Sequence, residues 1–331
     1  MFIFLLILFV CILLPSCARA DEAPAAHQRR SLQSLHDAFG SAANSQYAYS
    51  IAHRLATDLH LHNNATYGGR QAGSDAEHAA ADYLADEMRR IGLSYVEKAA
   101  AKCDKWQFNG ASFTVNGKEY PVYTYATAST VPEGITAPIV YVGRGTMYDY
   151  EGVDVKGKIV LVDIDQRADW WITYPMLEAE HQGAAAILAA NVGGFGQVAD
   201  DALNSQDICG PTSIPTCSIG VRASREIRAQ LPHGTVLGTL KVDNTVEIGK
   251  GTTYNVTGKS SEFQILLGGH YDTHFWGFQD DCCAVGLVLA AAKAMLDSGF
   301  EPENDIVFCL HGAEEWGSSY TQFDWTVGAW E

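Results

Sequence analysis

The stretch from Gln264 to Glu315 constrains the chain more than any other part of it. An apolar run, Ile265-Leu266-Leu267, ends at Gly268-Gly269, and His270 and Asp272 follow where a buried strand should surface. Asp280-Asp281 then opens a helical pattern through Leu287, Leu289 and Met295 that Gly299 stops. A second strand, Ile306-Val307-Phe308-Cys309-Leu310, leads to Glu314-Glu315. Strand, helix and strand make a βαβ unit. Its crossover is right-handed and its strands are parallel, so His270, Asp281 and Glu314-Glu315 gather at the carboxyl edge of one sheet. An imidazole among carboxylates is a zinc-type ligand set, and a spare carboxylate beside a metal is what activating a bound water requires.

The order HxD, then DD at a helix start, then a strand ending in AEE resembles the co-catalytic di-zinc exopeptidases of metallopeptidase family twenty-eight, which include bacterial leucyl aminopeptidases. The likeness extends to the segment from Gly68 to Leu93. It implies that His270 binds one zinc, Asp281 bridges two, Glu315 binds the second, and Glu314 is the general base. Asp272 would hold the far nitrogen of His270 in the right tautomer. Two zinc ions and peptide substrates with a free N-terminus follow from the same resemblance. The family's remaining ligands, an acidic residue one strand later and a histidine near the C-terminus, have no counterpart before Glu331, and the chain is expected to be truncated there. An inactive fragment, or a non-catalytic binding homologue, is the alternative reading.

The expected fold class is α/β, with a doubly wound, mostly parallel sheet and an inserted domain. A formal charge of −17 excludes a nucleic-acid partner, whose phosphates need clustered Lys and Arg. Phe2 to Leu14 is an unbroken apolar run, shorter than the roughly 18 residues that span a bilayer. With Ala18-Arg19-Ala20 after it, residues 1–20 read as a signal peptide with no transmembrane span after its removal; a lipid anchor on Cys17 is the second possibility. The expected location is outside the cytosol: periplasmic, cell-envelope or secreted. Export permits disulfides, and Cys209 with Cys217 is the expected pair, whereas Cys282-Cys283 reads as two small buried residues.

Residues 26–128 are assigned to the first part of the peptidase domain and begin with a helical region from Ser31 to about His60 that packs across the sheet edge. The loop Gly68 to Gly73 precedes a capping box, Ser74 with Glu77; the helix that follows ends at Gly92, and Arg70 is read as structural. Thr, Pro and Gly enrich Thr127 to Gly134, and residues 129–248 read as a separate α/β unit. Its short apolar strands, and the absence of a triad, metal spacing or phosphate loop, resemble a protease-associated domain. Its Trp170-Trp171 and Tyr174 are expected in a core. Residues 249–331 carry the catalytic part. No GxSxG or HExxH occurs, which excludes those hydrolase types.

Overall fold

The computed structural model describes residues 34, 36–126, 128–169, 172–194, 199–206, 213–259, 264–299 and 305–315. The signal-peptide and lipid-anchor assignments, Trp170, Trp171 and Cys209 lie outside these residues.

The first unit contains the helices α1 (Ser45–Thr57) and α2 (Asp75–Ile91). The Asn44 side chain caps α1 by accepting the amide of Tyr47, and Ser74 does the same for α2 at Glu77. The reciprocal half of the expected capping box is absent. The Glu77 carboxylate turns inward, where Thr253 Oγ1 donates to it at 2.5 Å, Tyr271 OH at 2.7 Å and the Gly73 amide at 3.2 Å. Gly92 ends α2 with φ 99, a left-handed cap that lets its amide return to the last turn.

Strands β1 (Ser94–Val115) and β8 (Leu237–Lys259) are the longest elements and pair antiparallel from Ser94↔Lys259 to Val115↔Gly238. Twenty-two residues of strand reach about 70 Å. One end of this ribbon belongs to each half of the molecule. The C-terminal end of β8 pairs antiparallel with β10 (Asp305–His311), and β10 pairs parallel with β9 (Gln264–His270). Helix α5 (Cys283–Asp297) is the crossover between β9 and β10. It packs against α1, and a core of Leu55, Leu84, Met88, Val285, Leu289, Phe308 and Leu310 fills the space between helices and sheet. The N-terminal helical region therefore rests on α5 rather than across the sheet edge.

The other end of the ribbon joins the second unit. The N-terminal part of β8 pairs with β4 (Val131–Tyr141). From β4 the parallel order runs through β5 (Ile159–Asp165), β6 (Ala186–Gly193) and β7 (Thr216–Ile219), and β3 (Val122–Thr124) closes that edge antiparallel. A short β2 (Lys118–Tyr120) pairs with the end of β1. Helix α3 (Thr173–His181) contributes Met176 and Ala179 to a core that holds Val160, Val162 and Ile187. Helix α4 (Val221–Arg228) contributes Val221 and Ile227 to the opposite face, with Ile159, Leu161 and Leu188. Alternate residues of β5 and β6 thus face separate cores, which is why these strands read as unbroken apolar runs. Tyr174, expected in a core, is exposed.

This corrects the expected fold class in one respect. The sheet is mixed: among the described residues the mostly parallel, helix-covered arrangement belongs to the second unit, and the first has a single parallel pair, β9 with β10. The physical reason is the long ribbon. Its two partners are antiparallel by construction, and they separate the parallel strands of the two units. The position 248/249, read as a domain boundary, falls inside β8, because Gly249 to Gly251 is accommodated by a register shift opposite Cys103 and Lys105 rather than by a chain break.

Candidate metal centre

Parallel pairing sets His270, the last residue of β9, beside His311, the last of β10. Glu314 and Glu315 follow one turn later, and the segment leading into α5 carries Asp280 and Asp281 across the same edge. His270 Nε2 lies 3.1 Å from Asp280 Oδ1, 3.8 Å from Glu314 Oε2 and 4.0 Å from Asp281 Oδ2. One ligand atom each from His270, Asp280 and Glu315 lies within 4.8 Å of the others.

The two aspartates do different things. Asp280 turns its carboxylate toward the imidazole, whereas Asp281 Oδ2 accepts the backbone amide of His270 at 3.2 Å and so ties the helix entrance to the strand end. Sequence reasoning named both but gave the metal to Asp281; the structure groups Asp280 with His270 and Glu315.

Asp272 is fully buried and braces the site from behind. Its two carboxylate oxygens accept the amides of Glu314 (3.2 Å) and Glu315 (3.0 Å), which fixes the turn that presents both glutamates. The tautomer task expected of it is shared with its own backbone: His270 Nδ1 is 3.1 Å from the Asp272 carbonyl oxygen and 3.6 Å from the carboxylate. The scaffold beneath is held by Arg70, which is completely buried. It donates to the carbonyl of Tyr271 at 2.7 Å, to that of Leu55 at 2.5 Å and to Cys282 Sγ at 3.0 Å. Arg70 is structural, as its place in a glycine-rich loop implied.

Electrostatics follow from crowding carboxylates around one imidazole. Burial works against the charged form of His270, but hydrogen bonds to Asp272 and Asp280 outweigh it and push the group up to about 12. The His270 hydrogen bond holds Asp280 below the ordinary carboxylate range. Burial raises Asp281 to about 6 and Glu314 to about 7, His270 opposing the shift in both. Four carboxylates facing one buried cationic ring is a donor set that suits a divalent ion in place of a proton, so the residues fit a zinc-type metal.

One further residue escaped the sequence reading. His274 is 6% exposed, and its Nε2 is 3.4 Å from Glu315 Oε2. A signal existed: His270, Asp272 and His274 alternate, and period-two spacing in extended chain sets residues on one side.

Fold and site together define a class: an α/β chain with a carboxylate-rich cluster around one imidazole at the carboxyl edge of a parallel strand pair. Residues 252–326 match Peptidase family M28, and residues 135–227 match the PA domain. Residues 252–326 thus resemble peptidase family M28, and the PA-like residues 135–227 lie in sequence between the two strands of the β1/β8 ribbon. Over 271 residues it is 25% identical to carboxypeptidase Q of Bos taurus, a match covering 76% of this chain and 57% of that protein. The crystal structure of a Peptidase M28 precursor from Shewanella amazonensis superposes with a TM-score of 0.71 at 23% identity, over 88% of this chain and 69% of that one. A zinc aminopeptidase from Bacillus subtilis gives 0.63 at 22% identity, over 83% and 63%. The chain thus spans 57% of the carboxypeptidase and 63% of the Bacillus enzyme.

Proposed function

We propose that the chain forms the metal centre of a zinc-dependent exopeptidase that releases N-terminal residues from peptides. The observation that carries this reading is the convergence of His270, Asp280, Glu314 and Glu315 on one point, braced by the buried Asp272. His270, Asp280 and Glu315 would supply ligands to the metal centre. When bound, zinc would polarise the scissile carbonyl and lower the pKa of a water. Glu314 is the general base in this reading. It would take a proton from the water and give it to the leaving amine. Asp272 acts through others, holding the Glu314 and Glu315 amides so that base and ligand keep a fixed offset. Two zinc ions, and export from the cytosol, belong to the same proposal. Among the described residues no helix is long and apolar enough to cross a membrane.

The name of the bovine relative favours one second reading, release from the carboxyl end. Peptides with both ends free, with the amino end acetylated, or with the carboxyl end amidated separate the two. Followed by mass spectrometry, acetylation should abolish release and amidation should not. The reverse outcome assigns carboxypeptidase activity. Glu314→Gln should lower kcat by about 100-fold or more, and unchanged turnover would remove Glu314 from the base role.

A further inference from the structure

The two histidines of the site have matching surroundings. His270 has Nδ1 on the Asp272 carbonyl oxygen, and its Nε2 faces the Asp280 carboxylate. His274 has Nδ1 3.4 Å from Ser205 Oγ, and its Nε2 faces the Glu315 carboxylate. The Ser205 hydroxyl already donates to the Thr124 carbonyl at 3.1 Å, so toward His274 it accepts. That places a ring proton on Nδ1; in the neutral ring Nε2 then carries a lone pair, aimed at a carboxylate oxygen. Two acceptors facing each other in a buried place need a positive charge between them.

The spacing of the two pairs also admits a divalent ion in place of a shared proton. Nitrogen and oxygen ligands bind zinc at roughly 2.0 to 2.2 Å, so two donors on one tetrahedral ion stand about 3.4 Å apart. His274 Nε2 and Glu315 Oε2 are 3.4 Å apart, and His270 Nε2 and Asp280 Oδ1 are 3.1 Å apart. Each imidazole–carboxylate pair spans the width of one ion. The backbone supports this placement, because Thr273, between Asp272 and His274, pairs with Arg70 in an isolated β-bridge that keeps the segment extended.

We propose that His274 is a metal ligand, binding through Nε2 with Glu315 a second divalent cation beside the one held by His270 and Asp280. Ser205, from the segment between β6 and β7, orients it. The proposal rests on the metallopeptidase reading and deepens it: an imidazole four residues after His270 enters the ligand set, and the PA-containing unit supplies its hydrogen-bond partner.

Cobalt(II), a coloured substitute for zinc, tests this without relying on activity. The purified chain is stripped with a chelator and titrated with cobalt, and uptake is followed by calorimetry and visible absorption. The wild type should bind two ions. His274→Gln should bind one, or the second at least about tenfold more weakly. His274→Cys should show a thiolate-to-cobalt charge-transfer band that appears only if the side chain touches the ion. Should the His274 variants fail to fold by circular dichroism, Ser205→Ala serves instead and should weaken one ion by about 10-fold. Two ions of unchanged affinity in His274→Gln with no charge-transfer band in His274→Cys overturn the proposal, leaving His274 a partner of Glu315 alone and the peptidase reading intact. One ion in the wild type that neither variant disturbs has the same consequence. A wild type that takes up no cobalt overturns both.

Discussion

Asp280 and Asp281 are neighbours with different surroundings, and that difference is testable. Asp280 faces His270 Nε2, while Asp281 spends an oxygen on the His270 amide. Asp280→Asn should therefore weaken zinc binding by more than about 100-fold, and Asp281→Asn, which keeps an acceptor oxygen, by less than about tenfold. Competition with a chromogenic chelator measures both; equal losses would return Asp281 to the ligand set. The same pair shows where the sequence stops being legible. His270, Glu314 and Glu315 were readable because each ends an apolar run at a predictable edge of the sheet. Which of two adjacent aspartates faces the imidazole depends on local backbone angles, and Asp280 (φ −114, ψ 96) and Asp281 (φ −128, ψ 24) are both non-helical where a regular helix start was expected. Glu77 was misread for a related reason. Its spacing from Ser74 fits a capping box, but Thr253 and Tyr271, distant in sequence, offer it hydroxyl donors.

At the scale of elements, helices were legible in existence and ends but not in partners. Gly286 in α5 looks like a weak point that alanine would improve by about 1 kcal/mol. In the fold its added Cβ would meet the Ala48 carbonyl oxygen at 2.3 Å, a backbone atom of α1 that cannot swing aside. Overpacking of this kind costs about 1 to 3 kcal/mol, so Gly286→Ala should lose up to about 2 kcal/mol net, read from the urea midpoint. A gain in stability would mean that α1 does not sit against α5. The contact of α1 with α2 carries a pH signature. Glu87 on α2 is held below the ordinary carboxylate range, first by its hydrogen bonds from Arg90 and then by that of Tyr47 on α1, with burial opposing. A carboxylate whose folded pKa is depressed contributes stability above its unfolded pKa and loses it as pH falls through the folded value. Glu87→Gln should lower Tm at pH 7. The gap from wild type should close as pH drops below about 4, the unperturbed range for glutamate. A gap independent of pH would show that the contact is steric rather than ionic.

The whole molecule is held by a feature that no single stretch announced. The βαβ unit and the inserted α/β unit were each readable from local apolar runs, but the β1/β8 ribbon joining them was not, because a glycine-containing segment at 249–251 looks like a break and long-range antiparallel register leaves no local pattern. The two units are tied further by a cluster of Ala72, Cys103, Trp106, Tyr123, Ala126 and Ala313, against which Phe275 packs next to His274. A shared strand and a shared apolar cluster mean that neither unit can unfold without exposing part of the other's core. The candidate ion draws on β9, the entrance to α5 and the turn after β10, all in one unit. Zinc at 100 times its dissociation constant should stabilise the folded state by about 2.7 kcal/mol. If the ribbon couples the units, calorimetry should show one transition that shifts upward as a whole on adding zinc and returns with chelator. Two resolved transitions, with only one responding to zinc, would show instead that β8 melts in sections and that the PA-containing unit is stable by itself.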